Sequence, residues 1–216
     1  MFMKNRIFLE IFDRLYKFFG PQGWWPAETP FEVCVGAILT QNASWKNVER
    51  AIKNLKEINL LTPEALYNLS EKELSELIKP SGFYNLKAKR LKNFIHFLFE
   101  NYGGSLEKMK EEEPETLRKK LLEIKGLGPE TVDSILLYAL DKPFFVVDAY
   151  TYRILSRHGL CPEETSYEEL QSLFHENLDK DTDLFKEYHA LLVACGKNFC
   201  KKREPLCKDC PLSYLR

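Results

Sequence analysis

None of the 216 residues belongs to an apolar run near the ~20 positions that a membrane-spanning helix requires, so a membrane helix is excluded. A global positive field is also missing. Lys and Arg number 31 against 32 Asp and Glu, for a net charge of −1, which argues against bulk attraction to a polyanion. A protein that grips a few phosphates through backbone amides and a local lysine cluster remains compatible with that balance. There is no leader pattern: Met1-Phe2-Met3-Lys4-Asn5-Arg6 runs straight into a segment broken by Glu10, Asp13 and Arg14. Neither a signal nor a transit peptide reads that way, and a cytoplasmic location is expected. Strand alternation, internal repeats and low-complexity tracts are lacking too. Phe144-Phe145-Val146-Val147 alone has strand-like composition, and it is too short and isolated to make a sheet. Six cysteines in a chain expected in the cytoplasm do not suggest disulfides. Four of them fall in the last 22 residues, which points to a metal site.

What is present is helix after helix. Ile7, Phe8, Ile11, Leu15, Phe18 and Phe19 repeat with the helical period, and Gly20-Pro21-Gln22-Gly23 ends that segment. Thr29-Pro30-Phe31-Glu32 reads as a capping box with proline at the first helical position. The run Val33–Leu39 that follows is apolar all round, as in a central core helix. Ser70-Glu71-Lys72-Glu73 and Ser166-Tyr167-Glu168-Glu169 open two short amphipathic helices. Further helices are predicted over 45–57, 86–101, 115–124, 129–140, 149–158 and 184–197, with Gly103, Gly126 and Gly159 as stops. The expected fold class is all-α.

Leu122–Arg153 is the most informative stretch. In Gly126-Leu127-Gly128 two glycines permit a tight turn that folds Leu127 into the core, and Pro129 opens the next helix. Such a turn either merely joins helices or presents free backbone N–H groups to a phosphate. Asp148 closes the apolar run and precedes a helix. It reads either as an N-cap or as an anion beside a buried pocket, able to stabilise positive charge developing on a sugar.

Gly126-Leu127-Gly128 followed by Val147-Asp148 resembles the helix-hairpin-helix and aspartate signature of the endonuclease III superfamily of DNA glycosylases. Leu39-Thr40-Gln41-Asn42 and the block from Ser81 to Arg90 resemble further family segments, and the likeness runs over roughly residues 24–210. It implies two helical lobes with damaged double-stranded DNA in a cleft between them. One is a six-helix barrel with the hairpin, over 29–140. The other is built from 1–28 and 141–216 and carries the cysteine loop. Asp148 would be the catalytic residue. Lys125, Gly126, Leu127, Gly128, Lys87 and Lys89 would meet the backbone of the DNA, with Arg90 and Lys92 in the same basic run. Gln41 and Phe83 resemble the residues that fill and wedge the gap left by a flipped base, against the blander readings of a helix-end glutamine and a core phenylalanine. A monomer is expected.

In bifunctional members of that superfamily a lysine just after the hairpin forms a Schiff base with the sugar. Glu130 stands there in this sequence, and a carboxylate cannot form an imine. The resemblance therefore implies a monofunctional glycosylase without lyase activity. Trp24-Trp25-Pro26, together with Leu39–Asn42 and Pro80–Asn85, looks most like the 3-methyladenine glycosylases. In those, Trp24, Pro26 and Trp45 would stack on the flipped base, with Trp25 leaning to the core and Glu130 nearby. An electron-rich ring prefers a cationic base such as 3-methyladenine by roughly 0.5–2 kcal/mol. A pyrimidine or mismatch glycosylase is the alternative, and a non-catalytic DNA-binding iron–sulfur module is a third.

Cys200, Cys207 and Cys210 match the first three cysteines of the superfamily's iron–sulfur loop. The fourth is expected at position 216, which is Arg216. Cys195 is the nearby substitute, giving a set that could hold a [4Fe–4S] cluster or a zinc ion, or no metal. Cys34 reads as core, and Cys161 has no evident partner. His96, His158, His175 and His189 fall in no ligand or triad spacing and read as ordinary helix residues.

Overall fold

The computed structural model describes Phe2–Leu215, with side chains from Arg6 onward. Position 216 therefore lies outside the described residues. Among the described residues there is no strand, and no helix is long and apolar enough to cross a membrane. The chain forms two compact units, one of Met1–Pro26 with Pro143–Arg216 and one of Ala27–Lys142.

The unit Ala27–Lys142 is built around α2 (Pro30–Leu39), every residue of which from Phe31 to Leu39 is buried. Thr29 caps it by accepting from the Glu32 N–H. Glu32 departs from the expected reciprocal bond: its carboxylate accepts from the Glu28 N–H and pairs with Lys56 at 2.8 Å. Around α2 lie α3 (Trp45–Glu57), α4 (Pro63–Asn68), α5 (Glu71–Leu77), α6 (Tyr84–Tyr102), α7 (Leu106–Glu111), α8 (Pro114–Leu122) and α9 (Pro129–Ser134). The Ser70 capping box of α5 is formed in full. Two short helices, α4 and α7, begin at the side-chain caps of Thr62 and Ser105. They are too short for apolar periodicity to announce. Where the sequence predicts one regular helix over 129–140, α9 passes instead into a π turn over Ile135–Ala139, wholly buried against α2.

The other unit contains α1 (Phe2–Phe19), α10 (Ala149–Arg157), α11 (Tyr167–Asn177) and α12 (Thr182–Asn198). Phe144–Val147 is buried but pairs with no strand among the described residues. Its Phe145 ring stacks on Phe174 with centroids 3.6 Å apart. The Phe145 N–H donates to His175 Nε2 and its carbonyl accepts from Gln171. Side chains thus supply the bonds a sheet would have supplied. Tyr188 of α12 donates to the Phe8 carbonyl at 2.8 Å, fastening α1 to the same core.

Candidate catalytic carboxylate and hairpin

Asp148 ends the buried run Phe144–Val147 and is the N-cap of α10. Its Oδ1 accepts from the Tyr150 N–H (3.0 Å), the Thr151 N–H (2.8 Å) and the Thr151 hydroxyl (3.0 Å). A cap of this kind stabilises a helix by about 1 kcal/mol. The Asp148 side chain is 13% exposed, and its Oδ2 lies 3.7 Å from His189 Nε2, a buried residue of α12. Burial pushes the carboxyl up. The His189 imidazole and the two Thr151 donors outweigh that and hold it below the ordinary carboxylate range. The N-cap role and an ionised carboxylate are therefore compatible in one residue: the cap occupies one oxygen.

Trp24 is half-buried in the same unit. Its ring lies 5.6 Å from His189, 5.9 Å from Trp25 and 5.7 Å from the Lys197 ammonium. Trp25 is half-buried rather than core, and Pro26 is exposed. Trp45 belongs to the other unit, where its indole N–H donates to Glu49 at 2.7 Å.

In the unit Ala27–Lys142 the hairpin turn has the backbone that its glycines allow. Gly126 has φ +100°, Leu127 is buried, and Gly128 is the N-cap of α9 ahead of Pro129. A Cβ on Gly126 would lie 2.5 Å from Arg90 Cγ, so the position is closed to other residues by contact as well as by φ. Arg118 of α8 holds buried Asp133 of α9 through two bonds, of 2.7 and 2.9 Å. Lys125, Gly128 and Glu130 are exposed around the turn, and the first N–H groups of α9 have no intrahelical acceptor.

Gln41 is bonded to this hairpin. Its Nε2 donates to the Gly126 carbonyl (3.2 Å) and the Thr131 hydroxyl (2.9 Å), and its Oε1 accepts from Arg90 Nη1. Phe83 is 70% exposed and sits in the left-handed region at φ +48°, a conformation that costs a non-glycine residue of order 1 kcal/mol.

Lys87 requires a correction. It is 1% exposed, and its ammonium donates to the Leu39 carbonyl (2.7 Å) and the Ser81 carbonyl (2.6 Å). It cannot face a phosphate; it braces the loop below Phe83 against the end of α2. Lys89 is exposed, whereas Lys92 donates to the carbonyls of Leu66, Tyr67 and Leu69.

Cys195 and Cys210 approach to 3.9 Å, and Cys195, Cys200 and Cys210 are buried while Cys207 is half-buried. Among the described residues, no three His, Cys, Asp or Glu side chains converge as a metal site. The neighbouring Cys210 thiol, burial and Cys200 together push the Cys195 thiol up. Arg153 and Arg157 of α10 fasten the loop through the carbonyls of Cys200, Lys201 and Lys202. His189 and the Arg118–Asp133 pair are the site residues that sequence reasoning misses. The available signal for His189 is its place inside the apolar run Tyr188–Val193, where a polar side chain needs a partner.

Residues 35–180 match the HhH-GPD superfamily of base excision DNA repair proteins. A Methanocaldococcus jannaschii protein provisionally named a DNA repair glycosylase is 54% identical, over 97% of this chain and 95% of its own. Endonuclease III of Thermotoga maritima is 34% identical, over 84% of this chain and 79% of its own. The crystal structure of an H. pylori 3-methyladenine DNA glycosylase bound to 1,N6-ethenoadenine superposes with a TM-score of 0.77. It is 30% identical and covers 90% of this chain and 97% of that one.

Proposed function

The chain belongs to the HhH-GPD superfamily of base excision DNA repair proteins and is a DNA glycosylase, and from that premise we propose that it is monofunctional and hydrolytic, with Asp148 as its catalytic carboxylate. The observation that carries this reading is the state of Asp148. Its carboxyl is held below the ordinary range and is fixed by its own helix cap through Oδ1, while Oδ2 takes no part in the cap and faces His189. As the N-glycosidic bond breaks, its electron pair leaves with the base and positive charge develops on the sugar. A fixed carboxylate stabilises that charge. Water then adds its oxygen to C1′, and its proton passes to the carboxylate. The exposed first turn of α9 offers Glu130 where an imine would need an amine.

The hairpin amides and Lys125 are proposed as the phosphate grip, and Phe83 as the wedge into the stack of damaged duplex DNA. For the base we propose an alkylated purine, 3-methyladenine first. This is supported by the Trp24-Trp25-Pro26 segment and by the likeness to the H. pylori enzyme. A second reading, a pyrimidine or mismatched base, is favoured by Lys197. An ammonium 5.7 Å from the Trp24 ring disfavours a cationic base there and tolerates a neutral one. A [4Fe–4S] cluster on Cys195, Cys200, Cys207 and Cys210 is proposed on their spacing together with the resemblance to the endonuclease III superfamily. The side chains as placed do not form its ligand set, so no chemical step is assigned to it.

The test incubates the protein with alkylated duplex DNA and with duplexes carrying uracil or thymine opposite guanine. Chromatography identifies the released base, and strand nicking is read alongside. Release of 3-methyladenine without nicking is expected. Release of a pyrimidine base alone selects the second reading. Nicking with a borohydride-trapped adduct overturns the monofunctional assignment, and binding with no base released overturns catalysis.

A further inference from the structure

His189 touches two features of the site at once. On one side its Nε2 lies 3.7 Å from Asp148 Oδ2; on the other its ring lies 5.6 Å from Trp24, tilted by 59°. The two oxygens of Asp148 are consequently unequal. Oδ1 takes three donors from the first turn of α10, while Oδ2 faces the imidazole of α12. The helices α10 and α12 that carry the two residues pack closely: a Cβ on Gly196 would lie 2.3 Å from Tyr150 Cδ1. We infer that His189 is the positioning residue of Asp148, fixing Oδ2 and keeping the carboxylate charged from a helix that also carries the Trp24 contact. The inference rests on reading Asp148 as the glycosylase carboxylate.

The charged and titratable groups around the pair are identifiable. Lys197 of α12 lies over Trp24, and Arg153 lies over the Tyr150 ring on α10. Glu187 of α12 is engaged with the Gln22 N–H, and Tyr188 with the Phe8 carbonyl. The Thr151 hydroxyl completes the surroundings of Asp148. Of these, His189 is the partner aimed at Oδ2 itself. Its removal takes away an interaction that favours the charged form and leaves the burial that opposes it.

The experiment uses the full chain labelled with 13C-aspartate, as wild type, His189→Ala and His189→Gln. The Asp148 carboxyl titration is followed by NMR, its resonance assigned from Asp148→Asn. Single-turnover base release is measured across acidic to neutral pH on the duplex that the wild type processes. In His189→Ala the Asp148 midpoint moves to higher pH, and the acid limb of base release moves with it. Release at neutral pH falls by up to about 100-fold, the scale of a misplaced reacting group. His189→Gln, which keeps a donor, falls between the two. An unchanged Asp148 midpoint in both variants overturns the inference, as does a rate loss equal at every pH. If His189→Ala does not fold, His189→Gln alone decides by the same midpoint. If the wild type releases no base from any duplex, the glycosylase reading of Asp148 fails by itself, and the NMR midpoint still decides whether His189 controls the carboxylate.

Discussion

Arg118 and Asp133 are joined by two parallel bonds, Nε to Oδ1 at 2.7 Å and Nη2 to Oδ2 at 2.9 Å, and they tie the two helices of the hairpin together beneath its turn. Asp133 has no exposed surface. Removing one member of a buried pair costs more than the pair contributes, because the other charge is left without its partner. Asp133→Ala is expected to destabilise the protein by about 3–5 kcal/mol in urea unfolding. A loss below about 1 kcal/mol would show that the pair does not hold the hairpin.

Gly126→Ala meets two obstacles in one position: a φ of +100° and a Cβ 2.5 Å from Arg90 Cγ. Strained backbone of this kind costs of order 1–3 kcal/mol. Displacing Arg90 also loosens its bond to Gln41, and through Gln41 the contacts to Gly126 and Thr131. Thermal melting should show the loss of stability, and undamaged duplex should bind more weakly. Wild-type binding in a destabilised variant would detach the hairpin from DNA affinity.

Lys87→Met separates a structural lysine from a phosphate-binding one. Burial, and secondarily the Arg90 charge, lower Lys87 to about 8, below an unfolded value near 10.4. Between those values the unfolded chain binds more protons, so this group makes stability rise with pH across that window. Urea melts from pH 7.5 to 10 should show that rise in the wild type and a flatter response in Lys87→Met. The variant also leaves the carbonyls of Leu39 and Ser81 without their donor, at about 1–3 kcal/mol. Its salt slope for DNA binding should stay unchanged, whereas Lys125→Ala should lower the slope by about 1.

Asp148→Asn keeps a side-chain oxygen able to cap α10 while removing the charge. The variant should therefore stay folded, losing the stability that the charge contributes, while single-turnover base release falls by about 100-fold or more. Full release by a folded variant would end the assignment of Asp148 to catalysis.

A related acid effect follows from the depressed Asp148 carboxyl. Its folded-state value lies below its unfolded one, so its stabilising contribution is complete above the unfolded value. That contribution is lost as pH falls through the folded one. The Asp148→Asn variant should lack this part of the acid loss in urea melts at successive pH values.

The sequence by itself determined the parts of this protein that depend on near neighbours. The capping boxes at Ser70 and Ser166 form as their residues require. The apolar run Val33–Leu39 is a core helix, and Asp148 caps α10. The turn at Gly126 adopts the backbone that glycine permits. Each of these follows from sterics or hydrogen bonds spanning a few residues, so local pattern suffices. Tertiary structure alone decided what depends on contacts far along the chain. It placed His189 beside Asp148 and drew Lys87 into the interior, although its spacing reads as surface charge. It brought the Cys195 and Cys210 thiols to within 3.9 Å of each other. No periodicity encodes these outcomes, because they arise where independently formed helices pack and must satisfy whatever polar groups that packing buries.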